Sequence, residues 1–318
     1  MGSIRKLKEN WRAEVCLEGR RKSKVCKTKR EAARWINEAE SAGLSSSMTV
    51  GSILARYKET VSVHKRGVKW ESDRIKCMLK LDLAQVRLDK LSEKHIAEWR
   101  DYRLLTVSGS TVSREWTLID HALSLAVREW KLLAINPMRN VRRPKENAPR
   151  DRVMTDDEVT QLLRALGHPG DTKTAQVGDA LLLALETAMR TSEITTMLVD
   201  QVRGDHVHLP KTKNGVKRNV PLSRKAREII AHYTLGKKSK DNVFDVSAAS
   251  LDVLFRKARD RTFIEDLHFH DSRRTALTRM AKIFGVLELA EISGHLDLRI
   301  LKKVYYAPDV SELASKLD

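Results

Sequence analysis

Between Trp11 and Leu17 the apolar residues Trp11, Ala13, Val15 and Leu17 alternate with Arg12, Glu14 and Cys16. A period of two marks a strand with one buried face. The flanking stretches IRKLKEN (4–10) and RKSKVCKT (21–28) read as two more short strands, with a turn at Glu18-Gly19. The period then lengthens. In KREAARWINEAE (29–40), Ala33, Ile36 and Glu40 fall at helical spacing.

After the polar break Ser45-Ser46-Ser47, the pattern predicts a small helical bundle. One helix carries Ile53, Leu54 and Tyr57, and a second carries Ile75, Met78, Leu79 and Leu81. A third carries Ile96, Trp99 and Tyr102 with Ser92 as its cap, and a fourth Trp116, Ile119, Leu123 and Val127. Asn136-Pro137 ends the bundle, and VRRPKENAPRDR (141–152) has the composition of a linker. Beyond it, Thr155-Asp156-Asp157-Glu158 forms a capping box before Val159, Leu162 and Leu163. The apolar run DALLLALETAM (179–189) is a buried helix, followed by a short helix over SEITTML (192–198). HVHLP and KRNVPL flank the turn signal Lys213-Asn214-Gly215, and the remainder reads as helix. The expected fold is mainly α with small β-sheets (α+β), in three domains: 1–44, 48–140 and 150–318.

Charge narrows the function. Sixty Lys and Arg face 42 Asp and Glu, a formal net charge of +18, which calls for a polyanionic partner (duplex DNA, RNA or an anionic membrane) or a solubility explanation. No apolar stretch approaches the roughly 20 residues of a membrane span, and the opening MGSIRKLKENWRAE lacks the apolar run of an export signal. Cys16, Cys26 and Cys77 have no zinc spacing and suit a reducing compartment, as small packing residues. In the strands, Arg5, Lys6, Lys8, Arg12, Arg20, Lys22 and Lys24 are candidate DNA contacts, on a sheet with one basic face that enters a major groove. In the bundle, loops are expected to carry Lys65, Arg66, Lys69, Arg74 and Lys76, and the linker carries Arg142 and Arg143. A solvated charged surface is the competing reading, and the overall charge favours nucleic acid for the strands.

Candidate chemistry sits in the last segment. Arg190, at a junction between apolar helices, needs a partner, and Glu193 is near. Its fork matches a phosphate, but for this residue taken alone a structural ion pair is the favoured reading. His270 and Arg273 share a helix face; Gly294-His295 follows another helix, and Tyr305 and Tyr306 come ten and eleven residues after His295. A tyrosine nucleophile at phosphorus needs fixed cations on the phosphate and an acid for the leaving oxygen, and a hairpin lysine, Lys213, fits the second role. Each residue also has a bland reading as packing or surface. Metal binding by His268, His270 and Asp271, or by His206 and His208, lacks the required ligand spacing.

The ordered set Arg190, Lys213, His270-x-x-Arg273, Gly294-His295 and Tyr305 resembles the tyrosine recombinase (phage integrase) family. TAMRTSE resembles its first-arginine box, KTKNGVKRNVPL its hairpin-lysine box, HDSRRTALT its His-x-x-Arg box, and ISGHLDLRILKKVYY its tyrosine box. The first two segments resemble the family's arm-binding and helical core-binding domains. One departure stands out: the family tyrosine usually lies nine residues after the histidine, where this chain has Val304. The tail SELASKLD keeps register with Tyr305, leaving Tyr306 as the rival nucleophile.

The resemblance implies a 3′-phosphotyrosine on Tyr305, Arg190 and Arg273 on the non-bridging oxygens, and His295 stabilising the transition state. His270 would act as acid, base or orienter, Lys213 as the acid for the 5′-oxygen, and Glu193 as the brace of Arg190. It implies four protomers on a Holliday junction, core and arm-type DNA sites, no cofactor and no metal. It implies integration or excision of a mobile element in a prokaryotic nucleoid, with a host DNA-bending protein and an excision factor as accessory partners. A type IB topoisomerase-like enzyme, a hairpin telomere resolvase and a non-catalytic DNA-binding regulator are the competing readings.

Overall fold

The computed structural model describes residues 2–17, 20–36, 39, 48–210 and 217–304. The chain divides into two compact units, Met1–Pro149 and Arg150–Asp318.

The first unit opens with an antiparallel meander of β1 (Ser3–Lys6), β2 (Trp11–Leu17) and β3 (Arg20–Cys26). Helix α1, over 29–36, follows it. Ala13, Cys26, Ala32 and Ile36 form a small core with Ile4, Trp11 and Trp35 against it. Residues directly opposite in an antiparallel pair share a face, and the register corrects the expectation of one basic face. Arg5 lies opposite Arg12, and Cys16 opposite Arg21, on one side. Lys6 lies opposite Trp11, Lys22 opposite Val15, and Lys24 opposite Ala13, on the other. The basic residues therefore divide between both faces, because they occupy successive positions in β1 and β3 and a strand alternates its side chains.

The bundle comprises α2 (Val50–Thr60), α3 (Val68–Met78), α4 (Asp82–Gln85), α5 (Glu93–Leu104) and α6 (Gly109–Arg128). Ile53, Leu54, Tyr57, Ile75, Ile96, Trp99, Trp116, Ile119 and Leu123 share one core. Ser92 occupies the N-cap of α5. Tyr102 is 56% exposed, since α5 buries only Ile96 and Trp99. Lys69, Arg74 and Lys76 lie within α3 and not in loops. The Gly67 turn starts that helix earlier than the apolar residues alone reveal. Candidate DNA contacts are engaged inside the unit: Arg12 Nε pairs with Glu14 at 3.0 Å, and Lys65 Nζ donates to Tyr57 Oη at 2.6 Å and Glu71 Oε1 at 2.8 Å. Arg74 Nη1 reaches the buried Glu115 at 3.0 Å, a carboxylate that Arg103 also holds at 2.8 Å. The basic stretch before Pro149 is laid along α6: Arg143 donates to Ser113 Oγ at 2.8 Å and Thr117 Oγ1 at 2.9 Å.

The second unit begins at the expected capping box, with Thr155 Oγ1 accepting from the Glu158 amide at 3.2 Å and Glu158 Oε2 from the Thr155 amide at 2.9 Å. Helices α7 (Asp156–Ala165), α8 (Lys173–Thr187), α10 (Arg224–Thr234) and α11 (Ala248–Arg261) enclose a core centred on Leu162, Leu181, Phe244 and Phe255. Helix α9 is only Thr191–Thr195, shorter than the pattern predicts. The backbone beyond it is taken by another segment: Met197 O accepts from Val243 N at 2.8 Å, and Val199 N donates to Asp241 O at 3.0 Å. Strands β4 (His206–Leu209) and β5 (Arg218–Pro221) pair antiparallel. Helices α12 (Asp271–Met280), α13 (Val286–Ser293) and α14 (Leu298–Val304) complete the unit around Ala188, Ala276, Leu277, Leu289 and Leu301. Among the described residues no helix is long and apolar enough to cross a membrane.

Candidate active site

Three chain reversals in the second unit bring polar groups together. The first is the end of α8. Ala188 caps that helix in a left-handed conformation, φ 52°, and Arg190 follows in extended backbone as the N-cap of α9. Glu193, one turn on, accepts from the Arg190 amide and from its Nη1, both at 2.9 Å. The predicted Arg190–Glu193 pair is present.

The second is the start of α12. His270 is its N-cap, and Arg273 lies inward, 5% exposed. Arg273 donates from Nη1 to the Ala188 carbonyl at 2.5 Å and from Nη2 to the Ser293 carbonyl at 2.6 Å. Buried charge is expensive unless hydrogen-bonded; these two carbonyls lie at helix ends, where no intrahelical partner is available. Asp271, also buried, accepts from Arg150 Nη2 at 2.9 Å and from the His268 amide at 2.8 Å.

The third is the end of α13. Gly294 adopts φ +68°, which L side chains rarely take, and its amide closes the helix on Ala290 O at 2.7 Å. The turn sets His295 beside Ser293, whose Oγ lies 2.6 Å from Nδ1. Burial, and then the charges of Arg273, Arg190 and Arg218, hold the His295 imidazole down at a pKa of about 4, so it is neutral at pH 7. A recess of about 410 Å³ is lined by Arg150, His268, His270, Asp271, Arg273, Arg274 and His295.

The structure thus brings His270, Arg273 and His295 to one recess, with Arg190 close enough to act on His295 electrostatically. Lys213, Tyr305 and Tyr306 lie outside the described residues. Sequence reasoning missed Arg218. Its Nη1 and Nη2 bind Glu193 at 2.9 and 2.7 Å, and its Nε binds the Ile292 carbonyl at 3.0 Å. The signal was there. Arg218, Val220 and Leu222 alternate, so a period of two places this arginine on the buried face, where it must find a carboxylate. Burial pushes the Glu193 carboxyl up, but Arg218 and the Arg190 amide outweigh it and hold the group down at about 2.

Comparison with known proteins assigns the class. Residues 152–312 match the model of the phage integrase family. A Haemophilus influenzae protein named as an integrase/recombinase is 37% identical over 329 residues, covering 98% of this chain and 89% of its own. The Escherichia coli shufflon-specific DNA recombinase is 36% identical over 283 residues, covering 85% and 72%. Among solved structures, a lambda integrase tetramer bound to a Holliday junction shares the fold, with a TM-score of 0.68 at 17% identity over 95% of this chain and 94% of that one. The chain belongs to the phage integrase family. It is a tyrosine-type site-specific recombinase.

Proposed function

We propose that this recombinase cuts and rejoins DNA through a 3′-phosphotyrosine on Tyr305 and exchanges strands through a Holliday junction, integrating or excising a mobile element. The observation that carries the reading is the convergence of anchored cations on neutral His295: Arg273 fixed by two carbonyls and Arg190 fixed by Glu193. Such an arrangement is already oriented for a phosphate before it arrives, so little reorganisation is needed as charge develops.

In this reading the Tyr305 oxygen bonds to phosphorus as the bond to the 5′-oxygen breaks. The tyrosine proton passes to a base, with His270 the candidate at the recess, and Lys213 gives a proton to the departing oxygen. Arg190 and Arg273 hold the non-bridging oxygens. His295 donates to the phosphate from a neutral ring. One phosphoester replaces another, so the reverse attack by a 5′-hydroxyl needs no external energy.

The partner is duplex DNA, with arm-type contacts from Arg5, Lys6, Lys8, Arg12, Arg20, Lys22 and Lys24 in the first domain (1–44). Core contacts come from Arg66, Lys69 and Arg142 in the second (48–140), and catalysis from the third (150–318). The lambda integrase tetramer on a Holliday junction supports four protomers here. A host DNA-bending protein and an excision factor would assist at the arm sites.

The test uses a pool of nicked suicide duplexes with a randomised core. Protein–DNA adducts that survive denaturant are recovered and sequenced, and the enriched core becomes the probe. Adducts lost in Tyr305→Phe and kept in Tyr306→Phe are expected. Loss only in Tyr306→Phe moves the nucleophile by one residue, and no adduct with the wild type overturns the reading.

A further inference from the structure

We infer that Arg218 is a positioning residue for strand cleavage: it takes up the charge of Glu193, so that the Arg190–Glu193 brace keeps a net positive charge for the phosphate. This rests on the phosphotyrosine chemistry proposed above.

Glu193 is one carboxylate held by two guanidiniums. Arg190 binds Oε1 at 2.9 Å, and Arg218 binds both oxygens, at 2.9 and 2.7 Å. The Arg218 side chain is only 4% exposed. With Arg190 alone, the pair would be neutral and a phosphate would meet a cation already matched by its own counter-charge. The second arginine leaves a surplus of one positive charge. Burial alone does not explain it: replacing a whole buried ion network by apolar groups of equal volume is often neutral or stabilising, whereas removing one partner leaves the other charge unpaired. Arg218 also fixes geometry. Its Nε holds the Ile292 carbonyl at 3.0 Å, next to Ser293, and its side chain packs so closely on Gly294 that a Cβ there would meet Nη1 at 3.0 Å. One side chain at the start of β5 thereby joins the Arg190 brace to the turn that carries His295.

A charge-rescue series on the trapped-core suicide duplex tests this. Arg218→Met is expected to slow single-turnover adduct formation about 100-fold, the scale for losing a preorganised charge, with unchanged affinity in gel shifts. Removing the orphaned carboxylate in Glu193→Gln/Arg218→Met should recover the rate to within about tenfold of Glu193→Gln. A merely structural role predicts a double variant no faster than Arg218→Met, which overturns the inference, as does an Arg218→Met rate equal to wild type. Circular dichroism separates folding: if Arg218→Met alone is unfolded, a folded, rescued double variant supports the inference and an unfolded one overturns it. No adduct with the wild type defeats the underlying chemistry instead, and the inference with it.

Discussion

The hydroxyl of Ser293 lies 2.6 Å from Nδ1 of His295, against 3.4 Å from the Ala290 carbonyl. A serine has one proton to give, and we assign it to the shorter contact. Nδ1 then accepts, so the ring proton sits on Nε2. Ser293 is fully buried, and its carbonyl also holds Arg273, so one residue orients two of the proposed phosphate ligands. Ser293→Ala keeps the carbonyl and removes the tautomer control. It is expected to slow adduct formation about 10-fold to 100-fold, less than loss of a donor itself, while gel-shift affinity stays constant. A wild-type rate would show that His295 needs no such partner.

His295 makes a pH signature. Burial and the facing charges of Arg273 (α12), Arg190 (before α9) and Arg218 (β5) hold its pKa at about 4, below the roughly 6.5 of an unfolded chain. Between these values the unfolded state binds a proton that the folded state refuses. Stability is therefore full above about 6.5 and falls as pH drops toward 4. Glu193, held at about 2, keeps its charge throughout that window. The melting temperature should decline from pH 7 to pH 4.5 more steeply in wild type than in His295→Gln. Parallel curves would place the acid sensitivity elsewhere.

Much of this was legible in the sequence where one period dominates. Alternation at Trp11–Leu17 located β2, and the Thr155/Glu158 box located the start of α7. Arg190, His270, Arg273 and His295 could be named because their order along the chain is distinctive. Arg218 escaped because the hairpin drew attention to Lys213, and the alternation of Arg218, Val220 and Leu222 that turns the arginine inward spans only three positions. Ser293 escaped because a serine before a glycine reads as a turn, and its partner two residues on is visible only once the backbone closes. The single basic face failed since lysines and arginines at consecutive strand positions carry no facing signal until the register is fixed.

Arg273 reaches two carbonyls at once. Its two carbonyl partners, Ala188 and Ser293, lie on different elements and are reached by different nitrogens. A lysine ammonium is a single point and cannot span both while facing a phosphate. Arg273→Lys should therefore approach Arg273→Ala, each losing about 10²–10³ in adduct rate. A lysine variant within tenfold of wild type would mean that charge alone suffices.

In the first unit, Arg74 and Lys69 separate packing from binding. Arg74 serves Glu115, whose side chain is 1% exposed, whereas Lys69 is exposed on α3. Removing the shared carboxylate leaves Arg74 and Arg103 facing each other, so Glu115→Ala should cost about 3–5 kcal/mol in urea unfolding. Lys69→Ala should leave stability unchanged and reduce the slope of log affinity against log salt by about 1. Arg74→Ala should lower stability with little change in slope. A reversed pattern would make Arg74 the phosphate contact.

Gly294 answers to two constraints that a second glycine can separate. Gly294 and Gly236 both sit at positive φ, +68° and +75°. A side chain in that region costs roughly 1 kcal/mol at each. At Gly236 a Cβ would meet nothing within 4 Å, but at Gly294 it would meet Arg218 Nη1 at 3.0 Å and Cδ at 3.1 Å. Arg218 cannot yield cheaply, because Glu193 and Ile292 hold it on three bonds. Gly236→Ala should thus lose about 1 kcal/mol and keep cleavage, while Gly294→Ala should lose about 2–3 kcal/mol by adding the cost of overpacking. It should also slow adduct formation at least tenfold at temperatures where the protein is fully folded. Equal losses in the two variants, with cleavage intact in both, would mean that the Arg218 contact relaxes freely and that the turn alone requires the glycine.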